Sequence, residues 1–173
     1  MFWLDFYIQS YYYVDFSFIF WLLFSMFNKI LMVCVGNICR SPVAEGMLQA
    51  FFNENNIVNN TIVESAGIAA LVGNAADPFS LEIMTERGVD IQTHRARQLS
   101  AELIKEFDLI LVMENGHKKH IEQNFSFSRG KVHCLGRWRN EDISDPYQEP
   151  REAFVKMANH VEICLQDWIG KFL

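Results

Sequence analysis

The residues best equipped for chemistry stand together in Cys34-Val35-Gly36-Asn37-Ile38-Cys39-Arg40-Ser41-Pro42. A Cys-x5-Arg spacing is weak by itself, because a chain with several cysteines meets it often by chance. Its setting makes it specific. The apolar run ending at Cys34 reads as a buried strand, after which Ser41 suits a helix N-cap and Pro42 the first helical position. A loop between such elements delivers successive backbone N–H groups toward one point above the helix N-terminus, and that point binds a dianion. Gly36 permits close backbone approach or a positive φ, and Asn37 tolerates the same region or hydrogen-bonds within the loop. Aligned amides, the helix dipole and Arg40 all favour Cys34 as a thiolate nucleophile. Arg40 can grip two phosphoryl oxygens as a fork, more tightly as charge spreads over them in the transition state. Read blandly, Cys34 is a small buried hydrophobe at a strand end, a reading that leaves the rest of the loop unexplained. Cys39 either packs or forms a reversible disulfide with Cys34 that shields the nucleophile from over-oxidation, and the redox role is slightly preferred.

A nucleophile that accepts a phosphoryl group needs an acid for the departing oxygen and a base for the water of the second step, and one carboxylate can serve both. Asp145 in Ser144-Asp145-Pro146-Tyr147 is the strongest candidate. Pro146 restricts it to extended geometry on a loop, and Tyr147 adds an aromatic wall for a ring-bearing substrate. Asp77-Pro78 repeats the dipeptide but reads better as a helix start with Asp77 at the N-cap.

These residues need a scaffold, and from Lys29 onward apolar β-rich runs alternate with helical patterns, the signature of βαβ units around a parallel sheet. Strands are expected near Ile30–Cys34, Thr61–Ser65, Leu109–Met113 and Val132–Leu135. Helices are expected over Pro42–Phe52, over Pro78–Arg87 ending at Gly88, briefly after Ser100, from about Gly116 to Gln123, and from about Pro150 to Ile169. In the last, Phe154, Met157, Val161, Cys164, Leu165 and Trp168 recur at helical spacing as a core stripe. The chain of 173 residues suits one domain, and its formal charge of -6 argues against sequence-independent nucleic-acid binding. Cys34, Cys39, Cys134 and Cys164 form neither a disulfide framework nor a metal-ligand pattern, so a reducing cytoplasm, no metal and no cofactor are expected.

Residues 1–25 stand apart: they hold 12 of the 24 aromatics, their only charges are Asp5 and Asp15, and they lack Gly, Pro, Ala, Lys and Arg. Neither a basic n-region nor a small-residue cleavage site is present, and the run Phe16 to Phe27 falls short of the roughly 20 residues needed to span a bilayer. The segment is either a membrane-associated appendage or translated sequence upstream of a start at Met26. The second is favoured, because the first strand follows without a linker; membrane contact is expected only under the first. The domain proper is then 26–173.

Val33 to Pro42, Glu64-Ser65-Ala66-Gly67, His94-Arg95-Ala96-Arg97-Gln98 and Asp145-Pro146-Tyr147 together resemble the low-molecular-weight protein tyrosine phosphatases, over nearly everything from Met26 onward. The resemblance is closest to bacterial members that pair with tyrosine autokinases controlling capsule or exopolysaccharide export. It implies an α/β fold of three layers, with a central four-stranded parallel sheet flanked by helices, and a metal-free reaction through a phosphocysteine. It further implies Cys34 as nucleophile, Arg40 as phosphate clamp, Asp145 as acid then base, and Ser41 assisting the thiolate. Val35, Gly36, Asn37, Ile38 and Cys39 would surround the phosphate. Asn37, Ser65 and His94 would form a supporting network, and Tyr147 would face Leu71 or a close neighbour across the pocket mouth. Three alternatives are weighed. Arsenate reductases on the same scaffold need two further cysteines, for which Cys134 and Cys164 are poorly placed. Protein arginine phosphatases carry Thr where this loop has Ile38. A non-catalytic phosphotyrosine-binding module would have lost Cys34, Arg40 or Asp145, and all are present.

Overall fold

In a computed structural model, residues 27–55 and 61–172 are described, so the expectations for residues 1–25 lie outside them. The described chain runs β1 (Lys29–Cys34), α1 (Arg40–Glu54), β2 (Ile62–Gly67), α2 (Pro78–Glu86), α3 (Ala101–Glu106), β3 (Leu109–Val112), α4 (Asn115–Asn124), β4 (Val132–Cys134) and α5 (Arg151–Phe172). The four strands form one sheet in the order β2-β1-β3-β4, and every pairing is parallel.

From Ile30 to Cys34 strand β1 is apolar because both its faces are covered. Ile30, Met32 and Cys34 point into one core with Leu48 of α1, Met84 of α2 and Phe154, Val161 and Trp168 of α5. Leu31 and Val33 point the other way, against Ile104 of α3, Ile110 and Val112 of β3 and Ile121 of α4. This alternation produces three layers, helices on either side of a sheet, as expected. The apolar stripe of α5 is core, and Trp168 Nε1 donates to the carbonyl of Leu135 at 2.8 Å.

After β1 the chain forms β2 on one side of it and β3 on the other, so the strand order reverses at β1. Open parallel sheets bind ligands at such a point, outside the carboxyl ends of the strands. The loop from Cys34 to Arg40 lies there.

Boundaries differ from expectation where loop contacts extend an element. Strand β2 continues to Gly67, whose N–H donates to the carbonyl of Arg97 and whose carbonyl accepts from Leu99. Helix α2 begins as expected, with Asp77 at the N-cap accepting from the Phe79 N–H. Gly88, at φ 74°, turns the chain out of it. Helix α1 begins at Arg40, with Cys39 at the N-cap and no side-chain cap bond. Ser41 is therefore not the N-cap. Pro42 is tolerated inside the first turn because the N–H it lacks would have no helical partner there.

Candidate active site

The loop after β1 is held by its carbonyls. Those of Cys34, Val35 and Gly36 accept from the N–H groups of Ile68, Ala69 and Leu71, and that of Ile38 accepts from Asp77. The carbonyl of Asn37 accepts from His94 Nε2 at 2.7 Å. In a trans peptide the N–H points opposite to the preceding carbonyl, and no peptide among the described residues is cis. Turning these carbonyls outward turns the N–H groups of residues 35 to 39 inward. The Asn37 N–H indeed reaches Cys34 Sγ at 3.2 Å. The result is a concave set of amide donors around a sulfur at the head of helix α1, an arrangement suited to an anionic ligand.

Asn37 makes this turn possible with a φ of 57°. Gly36 does not adopt a left-handed φ, and a Cβ built there would make only ordinary contacts with Ile38 and Leu71. The need for a glycine falls instead at Gly67, where a Cβ would lie 2.5 Å from the carbonyl oxygen of Val35. The Asn37 amide fixes the loop from within. Its Nδ2 donates to Ser41 Oγ at 2.9 Å and Ser65 Oγ at 2.8 Å, and its Oδ1 accepts from the Arg97 N–H at 2.8 Å. Ser65 Oγ in turn donates to Glu45. Ser41 Oγ lies 3.0 Å from Cys34 Sγ, so the serine expected to cap a helix faces the sulfur instead. Burial holds the His94 ring below its ordinary pKa, and its hydrogen bond to Asn37 opposes this; the neutral ring can donate Nε2–H to the loop. Burial pushes the Glu45 carboxyl up, against the bond from Ser65.

Arg40 is 1% exposed and is shared among three acceptors. Nη1 donates to Glu114 Oε1 and to the carbonyl of Ile143, and Nη2 donates to Asp145 Oδ2 at 2.7 Å. Nε has no partner among the described residues. Nε–H and Nη2 together form the edge that can take two oxygens of a phosphoryl group, and Asp145 holds the Nη2 end of it.

A cavity of about 160 Å³ opens over the sulfur, lined by Cys34, Val35, Gly36, Ile38, Cys39, Arg40, Ala69, Leu71, Asp145 and Tyr147. Leu71 and Tyr147 both line it and are partly exposed, as expected of a mouth. Ser65 and His94 lie below the loop, outside the cavity. The sequence reading missed Glu114, Asp142, Ile143, Glu45 and Arg97. Glu114 alone carried a usable signal, standing directly after an apolar strand at the carboxyl edge of a parallel sheet. Cys39 is buried, and burial drives its thiol well above the ordinary range, with Asp77 adding to the shift. Both Cys34 and Cys39 are free thiols.

Cys134 and Cys164 lie in opposite cores, and neither lines the cavity. Burial pushes Cys164 up to about 11. Neither cysteine is placed to relay a disulfide to Cys34.

The family of low molecular weight phosphotyrosine protein phosphatases matches residues 29–172. The chain belongs to that family. The phosphatase is 44% identical over 144 residues to low molecular weight protein-tyrosine-phosphatase Wzb of Escherichia coli K12, covering 83% of this chain and 94% of the relative. Among solved structures, Vibrio vulnificus Wzb in complex with benzylphosphonate superposes with a TM-score of 0.77 at 43% identity, over 84% of this chain and 99% of that one. The phosphatase also resembles a YwlE arginine phosphatase from Geobacillus stearothermophilus, with a TM-score of 0.75 at 31% identity over 83% and 92% of the two chains. One scaffold thus serves relatives named for different phosphorylated residues.

Proposed function

We propose that this phosphatase cleaves phosphotyrosine through Cys34, Arg40 and Asp145. The observation that carries the reading is the ring of inward amides around Cys34 Sγ, with the unpartnered Nε of Arg40 beside it. Inward N–H groups and the Nε/Nη2 edge bind the phosphoryl oxygens. Sγ attacks phosphorus in line, the phosphorus–oxygen bond to tyrosine breaks, and Asp145 gives its proton to the departing phenolate. Water then attacks the phosphocysteine and loses its proton to Asp145. The sulfur leaves toward Ser41 Oγ, which stabilises it by hydrogen bonding, and inorganic phosphate is released. Ile38, Leu71 and Tyr147 give the cavity apolar walls suited to an aryl ring, and no threonine hydroxyl stands at position 38 to favour a guanidinium phosphate.

The proposed partner is a phosphotyrosine protein, specifically a tyrosine autokinase acting in capsule or exopolysaccharide production, and the proposed compartment is the cytoplasm. Four free, buried thiols among the described residues suit a reducing environment. No helix among the described residues is long and apolar enough to cross a membrane. For residues 1–25 the reading as translated upstream sequence stands as a proposal, tested by mass spectrometry of the native N-terminus.

The test is hydrolysis of p-nitrophenyl phosphate, a phosphotyrosine peptide and a phosphoarginine peptide by the full chain in chelator, beside Cys34→Ser. Turnover of the aryl substrates that disappears in the variant is expected. Faster release from phosphoarginine would overturn the substrate assignment, and turnover surviving in Cys34→Ser would overturn the nucleophile.

A further inference from the structure

Asp145 stands on a loop with no regular secondary structure of its own, yet an acid must meet the departing oxygen within hydrogen-bond reach. Its side chain is tethered by Arg40 Nη2 and accepts weakly from the Tyr147 N–H at 3.3 Å. The first tether competes with the proposed reaction, because Nη2 belongs to the edge of Arg40 that grips the phosphoryl group. Once substrate is bound, something other than Arg40 Nη2 must place Asp145.

The head of helix α4 supplies it. Glu114 occupies the N-cap position but makes no side-chain cap bond, since its carboxylate is turned to Arg40 Nη1. Asp142, from the loop that carries Asp145, fills the vacancy. Its Oδ1 accepts from the Asn115 N–H at 2.9 Å and from Asn115 Nδ2 at 3.1 Å. An Asp carboxylate there also complements the positive end of the helix. The clasp continues along the chain, where the Ile143 N–H donates to the carbonyl of Met113 at 2.8 Å and the Ile143 side chain is fully buried.

We propose that Asp142 is a positioning residue for Asp145: by capping α4 from the neighbouring loop, it fixes that loop to the carboxyl end of β3 after substrate has displaced Asp145 from Arg40. The assignment rests on Asp145 as the proposed acid. It is chemically specific, because losing the clasp displaces an acid without touching the amide cradle or the nucleophile. In the transfer of the phosphoryl group to Cys34 the defect therefore scales with how much the leaving group needs a proton.

The experiment compares kcat/KM, which reports the steps up to loss of the leaving group, for phenyl phosphate and p-nitrophenyl phosphate, and inhibition by inorganic phosphate, in the full chain and in Asp142→Ala, Asp142→Asn and Asp145→Asn. Asp142→Ala is expected to lose about tenfold on phenyl phosphate, part of the 10² to 10⁴ that a general acid contributes, and about twofold or less on p-nitrophenyl phosphate. Its phosphate inhibition constant should be unchanged. Asp142→Asn keeps an acceptor for the Asn115 N–H and should recover most of the loss. Equal losses on both substrates, or none, would overturn the proposal, as would failure of Asn to rescue. If Asp145→Asn itself shows no leaving-group dependence, the acid assignment fails first; if it does and Asp142→Ala does not, the clasp alone fails.

Discussion

Replacing Asp145 by Asn should make the phosphatase bind its product more tightly while slowing its chemistry. Arg40 is almost completely buried, whereas the Asp145 side chain is 43% exposed, and the two form an ion pair of 2.7 Å. Unit charges about 4 Å apart attract by about 1 kcal/mol in bulk water and about 4 kcal/mol at an effective dielectric of 20. Measured pairs that share water fall at about 0.2–1 kcal/mol, so the half-exposed carboxylate argues for the low end, about 1 kcal/mol. Inorganic phosphate must break this pair and then sit beside the released carboxylate, and the neutral amide removes both penalties. At 1.4 kcal/mol per factor of ten, the inhibition constant of phosphate should fall about fivefold. Competitive inhibition of p-nitrophenyl phosphate hydrolysis measures it. Glu114→Gln is the contrast, since Glu114 holds the Nη1 side of the guanidinium away from the open edge and its loss should not tighten binding. An Asp145→Asn enzyme that binds phosphate no better than the parent would refute the argument that Asp145 competes for Arg40.

Asn37→Ala should destabilise the fold by about 3 kcal/mol, from a positive φ without glycine or asparagine and from buried hydroxyls stripped of their donor. Asn37→Gly should cost less in a urea titration, because it relieves the backbone but not the lost bonds; equal costs would remove backbone strain from the account. Gly67→Ala, whose Cβ would press on the carbonyl of Val35, should shift the loop and lower kcat for p-nitrophenyl phosphate more than tenfold even where circular dichroism is unchanged. Burial holds His94, His117 and His133 below their ordinary range. As pH falls through about 6.5, the unfolded chain takes protons that these rings refuse, so the thermal midpoint should drop between pH 7.5 and 6. His94→Gln should flatten part of that slope. Glu45 acts in the opposite sense, since burial raises its pKa and it returns stability as acid protonates it. A midpoint that rises on acidification over this range would contradict the histidine assignment.

The sheet, its helices and most of the cavity were legible in the sequence because each follows from a local pattern. Buried parallel strands are continuous apolar runs, and Ile30 to Cys34 could be little else. Cys34, Arg40 and the residues between them are contiguous, so strand–loop–helix logic places them together. Asp145 could be chosen as a residue type on a constrained loop, but its distance from Arg40 is a tertiary fact. Ser65 and His94 came from resemblance rather than from residue chemistry. Their contacts with Asn37 span 28 and 57 positions, and no short-range pattern encodes them. Asp142 escaped for the same reason, as it bonds across a gap that only the packed sheet closes, and Glu114 escaped although its place after an apolar strand marked it. Ser41 was misread as a cap because local rules see a serine before a proline. The sulfur and the Asn37 amide, which compete for its hydroxyl, arrive from the preceding loop.

A cradle built from main-chain N–H groups binds its anion independently of the side chains that decorate it. Val35, Ile38 and Cys39 can therefore change in evolution without dismantling phosphate recognition, provided the left-handed turn at Asn37 survives. Drift is free to act on what the phosphate is attached to. On the proposed mechanism, substrate identity becomes a property of a few apolar walls, while the anion is held by main-chain groups that substitution can hardly reach. That separation accounts for one scaffold serving relatives named for phosphotyrosine and for phosphoarginine. It also means that an inhibitor drawing its affinity from the amides would act across the family, and one drawing it from Leu71 and Tyr147 would discriminate among its members.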